Sequence, residues 1–353
     1  MRRTTLLLIA FPLLLAVGVA CGGSSSDDSS SSSGGGQRTT LRLGYFPNIT
    51  HATAIAGVES GIFTRNLGSD VNLQTTTFNA GPAAVEAIFS GGLDATYIGP
   101  NPAINAYVRS KGEAIKIISG ATSGGAYLVV RPEIRGAQDL RGKKVASPQL
   151  GNTQDVALRS WLKEQGLSTN AQGGGDVSVV PQENAQSLEA LRSGQIAGAW
   201  VPEPWATRLV REGGGTILVD ERDLWPRGEY VTTHLIVRTA FYKQHPDVVE
   251  RLLRGHVEAT AFVNAQPAEA QRLVIGAIEK ISGQPLSPEV VAAAWSNLVF
   301  TNDPIASSLR KSADDAAGFG FLEKGSAALD GIYDLGPLNT VLREAGGPEV
   351  QVQ

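Results

Sequence analysis

Apolar and polar residues alternate over 41–45 and then reach Pro47, which predicts a first strand, a loop and a helix over 52–61. A second strand is expected over 71–77. After Asn79-Ala80-Gly81, Pro82 is placed as a first helical residue, and the helix over 83–89 should stop at Gly91-Gly92. A strand over 95–98, a helix from Pro102 to 109 and a strand over 114–119 complete this stretch. The same grammar restarts at Lys144, with strands over 144–147, 177–180, 198–201 and 216–219 alternating with helices over 153–165, 185–193 and 204–211. Such alternation implies right-handed βαβ units and largely parallel sheets.

From 231–237 onward the pattern becomes helical, over 246–263, 267–280 and 288–298. Strands over 127–130 and 234–237 bracket the second α/β segment and are expected to cross between two lobes. The first lobe is then 39–125 plus 236–353, and the second is 126–235. A weak repeat supports two similar halves, because residues 86–97 match residues 189–200 at an offset of 103. Each copy runs from a helix through a Ser-Gly stop to a strand ending in an aromatic, Tyr97 or Trp200. Each then enters a Pro-x-Pro, Pro100-Asn101-Pro102 or Pro202-Glu203-Pro204.

Ahead of this body, Arg2 and Arg3 precede an apolar run over 6–20. As a helix that run spans about 22 Å, short of the roughly 30 Å hydrocarbon core of a bilayer, so it reads as a signal peptide. It ends in Gly18-Val19-Ala20-Cys21-Gly22, which resembles the lipobox of bacterial lipoproteins except that Gly18 stands where Leu is usual. The resemblance implies a lipidated Cys21 that anchors the mature chain outside the cytoplasmic membrane. Residues 22–37 are Gly, Ser and Asp almost throughout, the composition of a flexible tether.

Composition narrows the function classes. The 353 residues carry a net charge of −4, which offers no basic field for a phosphate backbone, so a nucleic-acid binder is not expected. Hydrophobic residues make up 42% and charged residues 18%, as in a globular body. The single cysteine, Cys21, leaves the body without disulfides, cysteine zinc sites or a cysteine nucleophile.

The segments Leu43-Gly44-Tyr45-Phe46-Pro47-Asn48, Tyr97-Ile98-Gly99-Pro100-Asn101-Pro102-Ala103, Gly151-Asn152-Thr153-Gln154-Asp155-Val156-Ala157 and Glu203-Pro204-Trp205-Ala206 together resemble a known family. It is that of the ABC-importer substrate-binding proteins for aliphatic sulfonates, nitrate and taurine. The resemblance covers about 40–335. It implies an α/β, two-lobed type II periplasmic-binding fold, with mixed, mostly parallel sheets, helices on both faces and a ligand cleft between the lobes. It also implies a monomer that passes a small solute to a membrane permease with a cytoplasmic ATPase.

In open parallel sheets, ligands sit beyond the carboxyl ends of the strands, where helix N-termini present free amides. The turns at 45–51, 79–82, 99–102 and 147–155 qualify, and they can hold an anion without lysine or arginine. Asn152, Thr153 and Gln154 surround one helix start and are the leading head-group candidates, although Asn152 or Thr153 could serve only as a cap. Asn48, Asn79, Gly81 and Asn101 join them at the other turns, and Ser123 precedes a crossing strand. Tyr45, Phe46, Trp200 and Trp205 lie at strand ends or helix starts, as aromatic walls or as core. His51 and His234 are expected near the mouth, whereas His245 and His256 should be solvated on the helical segment. Glu203 would repel an anion unless it is protonated, paired, capping its helix, meeting the other lobe or binding an amine.

No paired carboxylates, metal-ligand spacing, Gly-x-Ser-x-Gly elbow or phosphate loop stands out, so no catalytic residue, metal or cofactor is expected. An enzyme on the same scaffold, such as an aromatic desulfinase or an enzyme of quinone synthesis, is the alternative class, and a sensory lipoprotein is a third. Nitrate, taurine and pyrimidine or amine vitamin precursors stay open as solutes. The aromatic candidates favour a ligand with an organic body, an aliphatic sulfonate or related sulfur compound.

Overall fold

The computed structural model describes residues 38–323 and 328–352, so the expected leader, Cys21 and the tether lie outside the described residues. In chain order the strands are β1 (Thr39–Tyr45), β2 (Val71–Thr77), β3 (Ala95–Ile98), β4 (Ile115–Gly124), β5 (Ala126–Val130), β6 (Lys144–Ser147), β7 (Ser178–Pro181), β8 (Gly198–Pro202), β9 (Thr216–Asp220), β10 (Val231–Arg238) and β11 (Leu298–Phe300). The helices are α1 (Ala52–Glu59), α2 (Ile62–Leu67), α3 (Gly81–Phe89), α4 (Pro100–Arg109), α5 (Thr153–Glu164), α6 (Asn184–Arg192), α7 (Trp205–Arg211), α8 (Thr239–Gln244), α9 (Pro246–Ala265), α10 (Pro267–Ser282), α11 (Pro288–Trp295), α12 (Ala306–Ala317) and α13 (Gly336–Glu344).

Among the described residues the strands form two sheets, ordered β11-β4-β10-β3-β1-β2 and β7-β6-β8-β5-β9. Within them β1 runs parallel to β2 and β3, and β6 runs parallel to β7 and β8. The antiparallel pairs involve β5, β10 and β11. Their direction has a topological reason, since β4 leads out of the first sheet and β10 leads back into it. Neither β5 nor β10 itself spans the two sheets. The chain changes sheet at Gly124-Gly125, where φ values of 80° and 74° suit glycine, and it re-enters the first sheet at Val231. The internal repeat corresponds to equivalent places, because α3-β3-α4 and α6-β8-α7 flank β1 and β6 in the same way.

Packing follows the patterning. Leu41 and Leu43 are fully buried under α1, α9 and α10, while Arg42 between them pairs with Asp94 at 2.9 Å. Asp94 is fully buried and also accepts from Arg238 at 2.6 Å, which ties β1, the start of β3 and the end of β10 together. The pattern did not predict α2, α8, β11, α12 or α13. The helix expected over 288–298 ends at Trp295, so Leu298–Phe300 is free to pair with β4.

His256 is a correction to the expected solvation. Gly255 packs beside Phe63, and His256 is fully buried with Nδ1 2.8 Å from the Tyr97 hydroxyl and Nε2 3.0 Å from Ser119 Oγ. The helix that carries it is clasped against β3 and β4, so its polar side chain enters the core with partners. Burial lowers His51 to about 3, and His234 and His256 to about 4. Burial also pushes the Glu221 carboxyl up to about 7, although Trp200 Nε1 donates to it at 2.7 Å.

These shifts give a signed prediction. Below about 6.5 the unfolded imidazoles take up protons that the three buried ones refuse, so acidification from 6.5 toward 4 lowers stability. Glu221 opposes them between 4.5 and about 7, because the folded state keeps its proton there. Melting temperature should therefore fall with acid across this window, and Glu221→Gln should steepen the slope by about 1.4 kcal/mol per pH unit. A parallel or shallower slope in the variant, read by calorimetry at several pH values, would contradict the assignment.

Candidate functional site

The turns after β1, β2 and β3 meet those after β6 and β7 around a cavity of about 30 Å³ between the two sheets. From the first lobe come Phe46, Asn48, Thr50, His51, Asn79, Ala80, Gly81, Gly99 and Pro102, with Thr232 of β10. From the second come Pro148, Asn152, Thr153, Gln154, Asn184 and Pro202. The lining obeys the internal repeat: Thr50, His51, Gly81 and Gly99 stand 103 positions before Thr153, Gln154, Asn184 and Pro202. Asn184 and Pro202 escaped the motif reading, and this offset is the signal that would have found them.

Among the described residues, no Lys, Arg, Asp or Glu lines the cavity. The starts of α3, α4, α5 and α6 all border it through Gly81, Gly99, Thr153 and Asn184. First-turn amides lack intrahelical partners, and the helix dipole adds partial positive charge there. Two buried polar groups add to this: among the described residues, Thr153 Oγ1 and Asn184 Oδ1 have no hydrogen-bond partner. Rotating the Asn184 amide would present Nδ2 instead. The Phe46 amide donates to His51 Nδ1 at 3.3 Å, so the neutral ring carries its proton on Nε2, which makes it a potential donor.

The turn before α5 is held by its own network. Asn152 caps the helix, its Oδ1 accepting from the Asp155 amide at 3.1 Å, while its Nδ2 donates to Gln154 Oε1 at 3.3 Å. Fully buried Asp155 accepts from Ser147 Oγ at 2.6 Å, from the Gly151 amide at 2.9 Å and from Arg159 at 3.0 Å. Capping and cavity lining thus coexist at Asn152.

Other sequence candidates lie elsewhere. Tyr45 ends β1 inside the first core, and Trp200 is fully buried in the second, edge-on to Trp161, because alternation along β8 turns it toward α5. Asn101 Nδ2 donates to the Ser312 carbonyl at 2.9 Å, so it faces α12. Ser123 lines a separate groove beside Arg222 and Asn297. His234 is buried in the sheet with Nε2 3.0 Å from the Pro304 carbonyl. Glu203 accepts from the Thr207 amide at 3.0 Å and hydroxyl at 2.9 Å, and from Asn297 Nδ2 across the lobes at 2.7 Å. Burial raises its pKa against the opposing pull of these bonds. Trp205 Nε1 also reaches across, donating to Asn48 Oδ1 at 3.0 Å. One cross-lobe bond therefore ends on a residue that lines the cavity.

Residues 34–278 match the NMT1-like family. The chain belongs to this family. Among its relatives, a binding protein of Brucella abortus (strain 2308) is 29% identical over 234 residues, 65% of this chain and 69% of that protein. The taurine-binding periplasmic protein of Escherichia coli (strain K12) is 25% identical over 225 residues, 63% of this chain and 67% of that one. Among solved structures, the alkanesulfonate-binding protein SsuA from Xanthomonas axonopodis pv. citri, bound to MOPS, superposes with a TM-score of 0.67 at 18% identity. The match covers 86% of this chain and 98% of that one. The two-lobed type II periplasmic-binding fold expected from the motifs is thus shown.

The cross-lobe contact at Gly99 yields a test. A Cβ built there would stand 2.4 Å from Thr153 Oγ1, yet its φ of −70° tolerates alanine. Gly99→Ala should therefore leave the ligand-free melting temperature within about 1 kcal/mol of stability while weakening solute binding at least tenfold. Small-angle scattering with solute should show the variant more open than the parent; equal closure would remove Gly99 from this role.

Proposed function

We propose that this NMT1-like protein is the extracytoplasmic solute receptor of an ABC importer. It takes the oxyanionic head of an aliphatic sulfonate or related sulfur compound into the interlobe cavity and presents it to a permease. The carrying observation is a cavity lined, among the described residues, by no charged side chain, on which four helix starts and the Thr153 hydroxyl, unpartnered among those residues, converge. Such a site holds an anion by oriented amides and hydroxyls. The engagement of Glu203 by Thr207 and Asn297 removes the carboxylate that would have favoured an amine or cation. Supporting the reading, the E. coli relative is named for taurine and the Xanthomonas protein for alkanesulfonates. Delivery would follow lobe closure, with Trp205–Asn48 and Glu203–Asn297 as contacts made across the cleft. The lipobox-like segment around Cys21 would hold the receptor at the outer face of the cytoplasmic membrane.

The cavity of about 30 Å³ favours, as a second reading, a compact oxyanion such as nitrate. Thermal shift against methanesulfonate, taurine, nitrate, bicarbonate and a cationic control separates the two. A sulfonate should add about 2.7 kcal/mol of stability at a hundredfold excess over its Kd, and Thr153→Ala should reduce that gain. Stabilisation by nitrate alone would favour the second reading, and stabilisation by the cation alone would overturn both.

A further inference from the structure

The helix α5 has two faces that serve different lobes. Leu158, Trp161 and Leu162 pack into the core of the second lobe. Val156 instead joins the apolar cluster of the first lobe, with Leu309, Ala313 and Ala316 of α12. Helical spacing places Arg159 and Lys163 on the same face as Val156. The Arg159 guanidinium carbon lies 5.6 Å from the centre of the Phe321 ring, and the Lys163 ammonium 5.6 Å from that of Phe319, within cation–π range. Both rings come from the loop that follows α12, so the first lobe covers this cationic face.

Arg159 also reaches the turn that lines the polar cavity. It is fully buried, its Nε and Nη2 donate to the two Asp155 oxygens at 3.0 and 3.1 Å, and its Nη1 donates to the Asn170 carbonyl. Asp155 in turn accepts from the Ser147 hydroxyl and the Gly151 amide, and its own amide donates to Asn152. One guanidinium therefore stands between a ring of the first lobe and the second-lobe turn that presents Asn152, Thr153 and Gln154. Its planar fork matches both carboxylate oxygens while its face stays open to a ring, whereas a lysine ammonium would offset the charge without the fork.

We infer that Arg159 is a positioning residue for solute binding: Phe321 fixes the guanidinium when the lobes are together, and the guanidinium, through Asp155, fixes the α5 turn that faces the cavity. The Phe321 contact needs both lobes in place, so the order of the turn and the closure of the lobes are coupled. The consequence for solute binding rests on the cavity reading above, and the relay itself does not.

Hydrogen exchange of the full chain, read by mass spectrometry, tests the relay without a solute. Phe321→Leu keeps an apolar side chain and removes the ring. It should speed exchange of peptides over 148–156 by about fivefold or more, and leave those over 246–265, on α9, within about twofold of the parent. Arg159→Lys keeps the charge and loses the fork, and should give the same local pattern. A residue needed only to neutralise Asp155 would be rescued by lysine, and one needed only for the fold would loosen both regions alike. Unchanged exchange over 148–156 in Phe321→Leu, or an equal rise over 246–265, would overturn the inference. Calorimetric titration with methanesulfonate adds the functional arm: both variants should weaken its Kd by about fivefold or more, and an unchanged Kd would also overturn the positioning role. If methanesulfonate fails to bind the parent protein, the sulfonate reading falls, while the relay stands or falls by the exchange pattern alone.

Discussion

The amides that open a helix have no partner inside it, and here four helix starts border one small space that no charged side chain lines among the described residues. Much of the local chemistry follows from that constraint. Gly81 lies so close to Pro102 that a side chain would separate α3 from α4, and Gly99 lies so close to Thr153 that one would separate the lobes. Prolines at 82 and 102 occupy first-turn positions where an amide is dispensable.

Charge is managed by distance and pairing. Asp155 turns its oxygens toward Ser147, Gly151 and Arg159 behind the α5 turn, and Asp94 is enclosed by Arg42 and Arg238 at the far end of the first sheet. Glu203 sits closest to the cleft, yet Thr207 and Asn297 hold both of its oxygens. An uncompensated carboxylate at the cavity would oppose an anion strongly in so dry a setting. The same bond that satisfies Glu203 joins the lobes, so electrostatic order and closure share residues.

Several features were legible before any coordinates. The βαβ alternation, the proline-started helices and the 103-residue repeat follow from local periodicity and turn chemistry, and β2, β3 and β6 match their expected bounds. Of the candidate residues, Phe46, Asn48, His51, Asn79, Gly81, Asn152, Thr153 and Gln154 line the cavity because each sits in a turn at a strand's carboxyl end. Short elements such as β11 and α8 were illegible, since three to six residues carry too little periodic signal.

By itself, the sequence determined which turns would end the strands, where helices would start, and that two similar halves would face each other. Only the tertiary structure decided which side of each turn looks inward. Trp200, two positions before cavity-lining Pro202, falls into the core, whereas Asn184, unremarkable in its own segment, joins Thr153 at the site. Residue type and spacing set a side chain's local direction, but its destination depends on the sheet and lobe brought opposite it. For Glu203 that meant Asn297 across the cleft, a partner 94 positions away that no local pattern announces.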